Sequence, residues 1–448
     1  MATHAWRRMK GALKKLVQPL AAWLFKRLTG RSAMEAAGLA SPKDVRVKGE
    51  SPAKGAAARP IHLVFVCHMP ALWAMFDTIH RAASGDDDFK ATVVALPCMH
   101  PNLAPGRYSD LGMYDYLNSR GVKVIEGYDK ERDAWLTPES LAPDYVLFQT
   151  PYNLFPPRWS AKYISAFARV CYVPYATTLF RGEVDQIVHP EPFFSAASLV
   201  FAESAIARDR LIERFKSCPW FREETFVLSG TPKLDYFVTK EASGATPWKR
   251  GSTSENTRIL WTPRWWTNDG SCHFFDYNAY FTDFCARHEH VDFAFRPHPL
   301  SIQNFLNTGE LTAADDERMD LSYRMSSNMA IDREGAYQAT FLTSDILVSD
   351  ISSMMIEYLV TGKPIVYTHR VDLFNGLGRT LSEGFYWVRN PEELTATLEM
   401  LMGGHDPLRK KRMELIKKLL FMPKRGAGWG IKETIRTDFT RQRSISTG

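Results

Sequence analysis

The architecture predicted by this sequence is α/β: two doubly wound domains in series, with basic helical extensions at both ends. Three observations predict it. The chain is 448 residues long, about three times a common domain length. From residue 61 onward, short apolar runs of Val, Ile, Leu and Phe alternate with amphipathic helical stretches, the pattern of parallel strands covered on both faces. A polar Gly- and Ser-rich segment at 240–257, KEASGATPWKRGSTSENT, interrupts that alternation and divides it in two.

Composition narrows the class. Hydrophobic residues make up 45% and charged residues 24%, which excludes a disordered or fibrous chain. No run approaches the roughly eighteen apolar residues of a transmembrane helix. The six cysteines are too scattered for a disulfide scaffold and fit reduced thiols in a cytosol. The net charge of +6 hides a segregation. Residues 1–60 hold 13 Lys/Arg against 3 Asp/Glu, and residues 409–448 hold 12 against 3. The body between them is therefore acidic, and only the ends would feel an anionic surface attractively.

The elements follow in order. Residues 1–40 open with a stretch of thirty that places Trp6, Met9, Leu13, Leu16, Val17, Leu20 and Leu24 at three- and four-residue steps among seven cations, with Pro19 as a kink. A basic amphipathic helix of this kind lies in a lipid interface; packing on the acidic body and a transit peptide are the alternatives. A secretory signal is not expected, because the apolar core is too short and no small-residue cleavage site follows. Residues 41–60 read as a flexible linker. Residues 61–239 form the first domain, with strands expected at Ile61–His68, Ala91–Pro97, Val122–Gly127, Asp144–Gln149, Arg169–Tyr175, Ser198–Ser204 and Phe226–Gly230. Residues 240–257 are an interdomain linker. Residues 258–405 form the second domain, with strands at Arg258–Pro263, Val291–His298, Asp345–Asp350, Pro364–His369 and Phe385–Val388. Residues 406–448 carry a second basic amphipathic helix at Leu408–Met422, either a membrane contact or a helix closing the fold, and a tail, 426–448, without readable pattern. Two such domains are expected to face a ligand cleft at the carboxyl ends of their strands. Neither contains a clear G-x-G-x-x-G or Walker loop, so dinucleotide and NTPase chemistry rank low.

Four segments carry candidate chemistry. In SDILVSDISSMMIEYLVTGKPIVYTH (344–369) a buried strand ends at Asp350, and a helix opens at Ser352 and Ser353. Free N–H groups, a positive dipole end and two hydroxyls suit a phosphate, although Ser352 also reads as a simple N-cap. In FAFRPHP (293–299) a strand delivers Arg296, which can grip a diphosphate bidentately, and His298, which can move a proton or donate to phosphate. In RILWTPRWW (258–266), Thr262 and Arg264 reach the same strand-end crevice, and Trp265 and Trp266 can pack or stack on a base. In SGTPKLDY (229–236) a Gly230 turn offers Lys233 and Asp235. Cys272, His273, Cys285, His288 and His290 lack a paired C-x-x-C, and Cys285 sits on an apolar helical stripe, so no metal site is expected.

Those four pieces in their order, G-x-P-x-x-D, strand–Thr-Pro-x-Trp, R-x-H-P and S-D-x-S-S with a downstream G-x-P, resemble the CDP-glycerol:poly(glycerol phosphate) glycerophosphotransferase family. The resemblance spans about residues 229–369. The stretch Asp144–Tyr152, DYVLFQTPY, is also similar to a strand and loop of some members' first domain. It implies a GT-B-like fold and synthesis of teichoic-acid-like or capsule polymers. Two departures stand out. Asp350-Ile351-Ser352-Ser353 replaces the family's Asp-Tyr-Ser-Ser. The family's acceptor-side Trp-His-Gly-Thr-Pro-Leu, whose His is regarded as catalytic, has PYATTL (174–179) as its nearest match, with Tyr175 where the His would stand. His68, ending the first strand, is the candidate replacement.

The resemblance thus implies transfer of an alditol phosphate from a CDP-alditol, or another nucleotide-diphosphate donor, to a hydroxyl of a polymer or lipid-linked acceptor. The expected catalytic residues are His298, His68 and Asp350. The expected binding residues are Thr262, Arg264, Arg296, Ser352, Ser353, Gly230, Lys233 and Asp235. No cofactor is expected. The expected place is the cytoplasmic face of an anionic membrane. A nucleotide-sugar glycosyltransferase on the same fold, and a non-catalytic subunit of a polymerase, remain open alternatives. Nucleic acid is not an expected partner, since the body is acidic and offers no basic–aromatic platform.

Overall fold

The computed structural model describes residues 59–99, 106–175, 179, 189–239, 245–251, 255–334 and 337–446. The amphipathic helix read in residues 1–40, and nearly all of the 41–60 linker, lie outside them. The chain divides into two compact units. The first comprises 1–175, 182–233 and 422–448, and the second 176–181 and 234–421.

In the first unit the strands are β1 (Ile61–Cys67), β2 (Phe89–Ala95), β3 (Val124–Glu126), β6 (Tyr145–Phe148), β7 (Arg169–Tyr172), β8 (Ala197–Ala202) and β9 (Phe226–Leu228). A small antiparallel ribbon, β4 (Tyr128–Asp129) with β5 (Ala134–Trp135), interrupts them. The main sheet is parallel with order β3-β2-β1-β6-β7-β8-β9. The second unit holds β10 (Thr257–Thr262), β11 (Val291–Phe295), β12 (Met329–Ile331), β13 (Ile346–Ser349), β14 (Ile365–Thr368) and β15 (Tyr386–Val388), parallel in the order β12-β11-β10-β13-β14-β15. Both sheets reverse their winding beside their first strand, between β1 and β6 and between β10 and β13. Ligands of doubly wound sheets bind at such reversals, outside the carboxyl ends of the strands.

The alternation of side chains explains why these strands read as continuous apolar runs. Leu63 and Phe65 enter one core of the first unit, and Val64 and Val66 enter the other. In the second unit Ile259 and Trp261 face one layer while Leu260 faces the opposite one. Each such buried side chain contributes about 1.5–3 kcal/mol, so apolar residues dominate these strands, with His62, Arg258 and Asp292 as buried polar exceptions near their starts. Trp261 is fully buried, its ring stacked on Phe274 at 5.8 Å between centroids.

Several elements differ from expectation. The Leu408–Met422 stretch contains the helix Arg409–Leu419, and one of its cations is not solvated: Arg412 is 0% exposed, paired with Asp406, and donates to the carbonyls of Gly362 at 3.0 Å and Gly384 at 3.3 Å. The 240–257 segment is fastened where it is described: Trp248 is buried in the second unit and its Nε1 donates to Thr343 Oγ1 at 2.7 Å. The tail without pattern contains a 20-residue helix, Ala427–Ser446, that belongs to the first unit. Its apolar Ile431 and Ile435 join the core beside the helix Asp77–Ser84. Lys432 and Arg436 both reach Asp86 at 2.5 Å, and Asp438 accepts from Tyr145 at 2.7 Å and pairs with Arg169 at 2.6 Å. The helix's deep apolar positions, Ala427, Ile431 and Ile435, recur every four residues, but the charged anchors set among them hid that short stripe in the sequence.

The approach of the two helices is set by Gly428. A Cβ there would stand 2.3 Å from Thr78 Oγ1 and 2.7 Å from the Ile79 nitrogen. Gly428→Ala is expected to destabilise the first unit by about 1–3 kcal/mol, the usual cost of overpacking. Denaturant unfolding of wild type and variant checks this, and equal midpoints would show that the helix does not dock so closely.

Candidate functional site

The carboxyl ends of three adjacent strands, β11, β10 and β13, gather seven of the expected residues in the second unit. Arg296 and His298 follow β11, Thr262 ends β10 with Arg264 two residues on, and Asp350, Ser352 and Ser353 follow β13. Their local chemistry differs sharply.

Asp350 is 1% exposed, and its two carboxylate oxygens divide their work. Oδ1 accepts the backbone N–H of Arg264 at 2.6 Å and Oδ2 that of His273 at 3.0 Å. The carboxylate thereby ties both ends of the loop that leaves β10. Within the loop, Asp269 pairs with the Arg264 guanidinium at 2.8 Å and accepts from Ser271 Oγ at 2.6 Å. Thr262 Oγ1 donates to Ser349 Oγ at 3.0 Å, so its hydroxyl is spent on the β10–β13 seam. Burial pushes the Asp350 carboxyl up to about 7, against the pull of the two N–H donors and the Arg264 charge.

Arg296 is held from behind. Its Nη1 donates to Asp332 at 2.8 Å and its Nη2 to the Glu334 carbonyl at 2.7 Å, with Tyr337 under the guanidinium. His298 stacks on Trp265 at 5.7 Å, and its Nδ1 accepts the Leu300 N–H at 3.2 Å. Burial, and then the Arg264 charge, push the imidazole down to about 4. At neutral pH the ring is therefore uncharged, and with Nδ1 occupied as an acceptor the proton sits on Nε2. Ser352 Oγ accepts the Met354 N–H at 3.2 Å, while Ser353 is the residue at the helix cap and makes no side-chain capping bond.

The remaining expected residues lie elsewhere in the chain. His68, 2% exposed, follows β1 in the first unit with its ring edge-on to Phe155 at 5.3 Å. Gly230 turns with φ of 75°, and Lys233 Nζ donates to the Tyr175 carbonyl at 3.2 Å, also in the first unit. Asp235 opens the helix Asp235–Thr239 in the second. Tyr175 OH and Tyr152 OH are 3.5 Å apart.

Three contributors escaped the sequence reading. Asp332, the partner of Arg296, follows a three-residue strand too short to show a period. Asp269 lies in a loop with no flanking pattern. His369 follows β14 and, like His273, leaves its Nδ1 buried without a hydrogen-bonding partner; burial pushes His273 down to about 4 and lowers His369. Residues noted as a conceivable zinc cluster serve other ends: Cys285 packs in the aromatic core, and His288 Nδ1 bonds the Phe284 carbonyl at 2.8 Å. Among the described residues no group of three or more His, Cys, Asp and Glu side chains could hold a metal ion, and no helix is long and apolar enough to cross a membrane.

Comparison with known proteins bears out the resemblance. Residues 204–375 match the family model of CDP-Glycerol:Poly(glycerophosphate) glycerophosphotransferase. No curated protein sequence matches the chain. Among solved structures, the wall teichoic acid polymerase TagF aligns with a TM-score of 0.53 at 15% identity, over 85% of this chain and 89% of that one. A putative UDP-N-acetylglucosamine 2-epimerase from Listeria monocytogenes aligns with a TM-score of 0.56 at 13% identity, over 85% and 97%. UDP-GlcNAc 2-epimerase from Neisseria meningitidis, bound to UDP-GlcNAc, aligns with a TM-score of 0.55 at 10% identity, over 85% and 100%. The fold is that of the GT-B-type epimerases and of TagF. The matched segment contains every one of the seven strand-end residues of the second unit.

The buried charges give opposed pH dependences. A carboxyl raised from 3.8 to about 7 binds its proton more tightly in the folded state, so its contribution to stability is lost as pH rises through that window. Imidazoles lowered from 6.5 to about 4 act oppositely: stability rises from pH 4 to 6.5 as the unfolded chain releases their protons. Asp350→Asn removes the first slope alone. The variant is expected to be less stable than wild type at pH 4, with the deficit shrinking toward pH 7 by at most about 1.4 kcal/mol per unit. Urea unfolding at four pH values tests it; a constant deficit would mean Asp350 does not titrate in this range.

Proposed function

We propose that this CDP-glycerol glycerophosphotransferase-like transferase moves an alditol phosphate from a CDP-alditol to a hydroxyl of a growing cell-surface polymer, teichoic-acid-like or capsular. The observation that carries the reading is the placement of Arg-Pro-His-Pro and Ser-Asp-x-Ser-Ser at the ends of β11 and β13, the two strands that flank β10 at the winding reversal, inside the family-matched segment.

In this reading the second unit holds the donor. The neutral His298 gives its Nε2–H to a phosphate oxygen, and its proton stays on the ring through binding. The Ser352 and Ser353 hydroxyls and the N–H groups behind them supply further donors. Arg296 and Arg264, already paired with Asp332 and Asp269, present fixed guanidinium edges that lose little freedom on binding. Asp350 acts as a positioning residue through the loop it clamps. The acceptor hydroxyl attacks phosphorus, a P–O bond forms, the bond to the cytidine monophosphate breaks, and CMP leaves. Because the His298 tautomer places a proton on the nitrogen away from Leu300, we assign the acceptor's proton to His68 of the first unit. Gly230, Lys233 and Asp235 shape the chain where it passes from one unit to the next.

The assay is release of nucleotide from a panel of CDP-glycerol, CDP-ribitol, and UDP- and CMP-sugars. CMP release from a CDP-alditol, stimulated by a polyol phosphate, is the expected result; UDP release from a sugar donor would replace phosphotransfer with glycosyl transfer. His298→Ala is expected to lower turnover about 10²-fold or more, as loss of one preorganised donor to the transferred charge does. Unchanged turnover and unchanged donor affinity would remove His298 from the site.

We also place the enzyme at an anionic membrane surface on the cytoplasmic side. Lys410, Lys417, Lys418, Lys424 and Arg425 are exposed, as are Met413, Phe421 and Met422. Cations interleaved with apolar side chains suit an anionic lipid interface, and residues 1–40 add a second basic segment. Sedimentation with vesicles of phosphatidylglycerol is expected to capture the full chain. Deleting residues 1–40 together with Lys410→Glu, Lys417→Glu and Lys418→Glu is expected to release it; capture unaffected by these changes would refute membrane binding through the basic ends.

A further inference from the structure

The first unit has its own winding reversal, between β1 and β6, and the residues that follow β6 are unusually polar for their depth. Gln149 is 1% exposed and Thr150 is 5% exposed. The Gln149 backbone carbonyl accepts the Tyr175 N–H at 3.2 Å, and its side-chain Nε2 donates to the Leu72 carbonyl at 2.7 Å. That bond fixes the amide, since the opposite orientation would set Oε1 against a carbonyl oxygen. Gln149 Oε1 is thereby left buried with no hydrogen-bonding partner, and so is Thr150 Oγ1. Buried polar atoms are nearly always satisfied, and an orphan one costs stability. Two in succession, at the strand end where this class of sheet takes its ligands, mark a place completed by something bound.

The chemistry of the orphans restricts what that is. An amide oxygen only accepts, so its partner must bring a hydrogen on oxygen or nitrogen. A threonine hydroxyl both gives and accepts. An aliphatic hydroxyl satisfies either atom, whereas a fully ionised phosphate has no proton to offer Gln149. We infer that the carboxyl end of β6 is a hydroxyl-recognition site for the polyol portion of the acceptor, with Gln149 Oε1 accepting from one of its hydroxyls and Thr150 Oγ1 bonding another. This rests on the alditol-phosphate transfer reading above and adds to it the part of the acceptor that the first unit grips. It also sets the acceptor beside His68, which follows the neighbouring strand β1.

The test measures acceptor binding in the absence of donor, so that it stands apart from turnover. A synthetic glycerol phosphate oligomer is titrated into the full chain and followed by saturation-transfer NMR. Wild type is expected to bind it. Gln149→Leu, which keeps the volume but removes both the orphan acceptor and the donor to the Leu72 carbonyl, is expected to weaken binding about tenfold or more, and Thr150→Val, which removes only an unpartnered hydroxyl, is expected to leave the melting temperature unchanged or raised. On binding, Thr150→Val is expected to act in the same direction and serves alone where the leucine variant does not fold. Absence of binding by wild type, displacement of the oligomer by inorganic phosphate alone, or unchanged affinity in both variants with a raised melting temperature would each overturn the inference; the last would mean that the two atoms meet only buried water. CMP release from CDP-glycerol is scored separately. Lost oligomer binding in Gln149→Leu without any CMP release from wild type would sink the donor reading and leave the hydroxyl site standing. Normal release with unchanged oligomer binding would do the reverse.

Discussion

The second unit's candidate site depends on one buried carboxylate. Asp350 follows the strand that adjoins β10, and by accepting the N–H groups of Arg264 and His273 it fixes where a ten-residue excursion starts and stops. Everything aimed from that excursion inherits its position from those two bonds. Trp265 lies against His298, Arg264 is set against Asp269, and Cys272 is buried with its Sγ 2.8 Å from the Arg264 carbonyl. A carboxylate suits this duty better than an amide, because it can accept two N–H groups at once. The same burial that makes the clamp firm also raises the carboxyl's proton affinity, so the loop is held by a group close to its own titration point.

This electrostatic balance shapes what the site can do with a diphosphate. Both arginines are paired with carboxylates, so neither guanidinium stands as a lone charge among the buried groups around it. The cost of burying a lone guanidinium is thereby avoided, and each guanidinium edge is held in place by its carboxylate. His298 follows the same economy: stacked on an indole and uncharged, it offers a hydrogen rather than a full positive charge. In the proposed phosphotransfer, neutral donors and carboxylate-paired arginines would act on a developing phosphate charge through fixed geometry, which requires little reorganisation during reaction.

What the sequence made legible followed the strength of its patterns. Runs such as LVFVC and ILW are covered on both faces and apolar throughout, and they stood out. The motifs at their ends stood out because prolines and clustered hydroxyls are rare there. The three-residue strand Met329–Ile331 is too short to carry a period, and with it Asp332 was missed, although it fixes Arg296. The closing helix at Ala427–Ser446 was missed because it is held by Lys432, Arg436 and Asp438, ion pairs that look like an ordinary solvated surface in one dimension. The amphipathic stretch before it was seen, but Arg412 was counted with a solvated face; nothing local distinguishes a buried arginine from an exposed one.

The fold alone leaves the chemistry open, since epimerases and a polymerase share it. The decision falls to a few side chains in each unit, and the first unit poses the harder problem. Tyr175 stands where the resembling family has an imidazole, and its hydroxyl meets that of Tyr152, whose burial and phenolic neighbours push it well above the ordinary phenol range. A phenol pair of this kind offers and accepts hydrogen bonds but does not take up a proton at neutral pH. An acceptor hydroxyl presented there would be oriented without being deprotonated. On the proposed reading, orienting the acceptor falls to the polar groups after β6, and removing its proton falls to His68, which follows the adjacent strand β1. The deep burial of Gln149 and Thr150 suits that proposed role, since recognition of a hydroxyl improves when water is excluded.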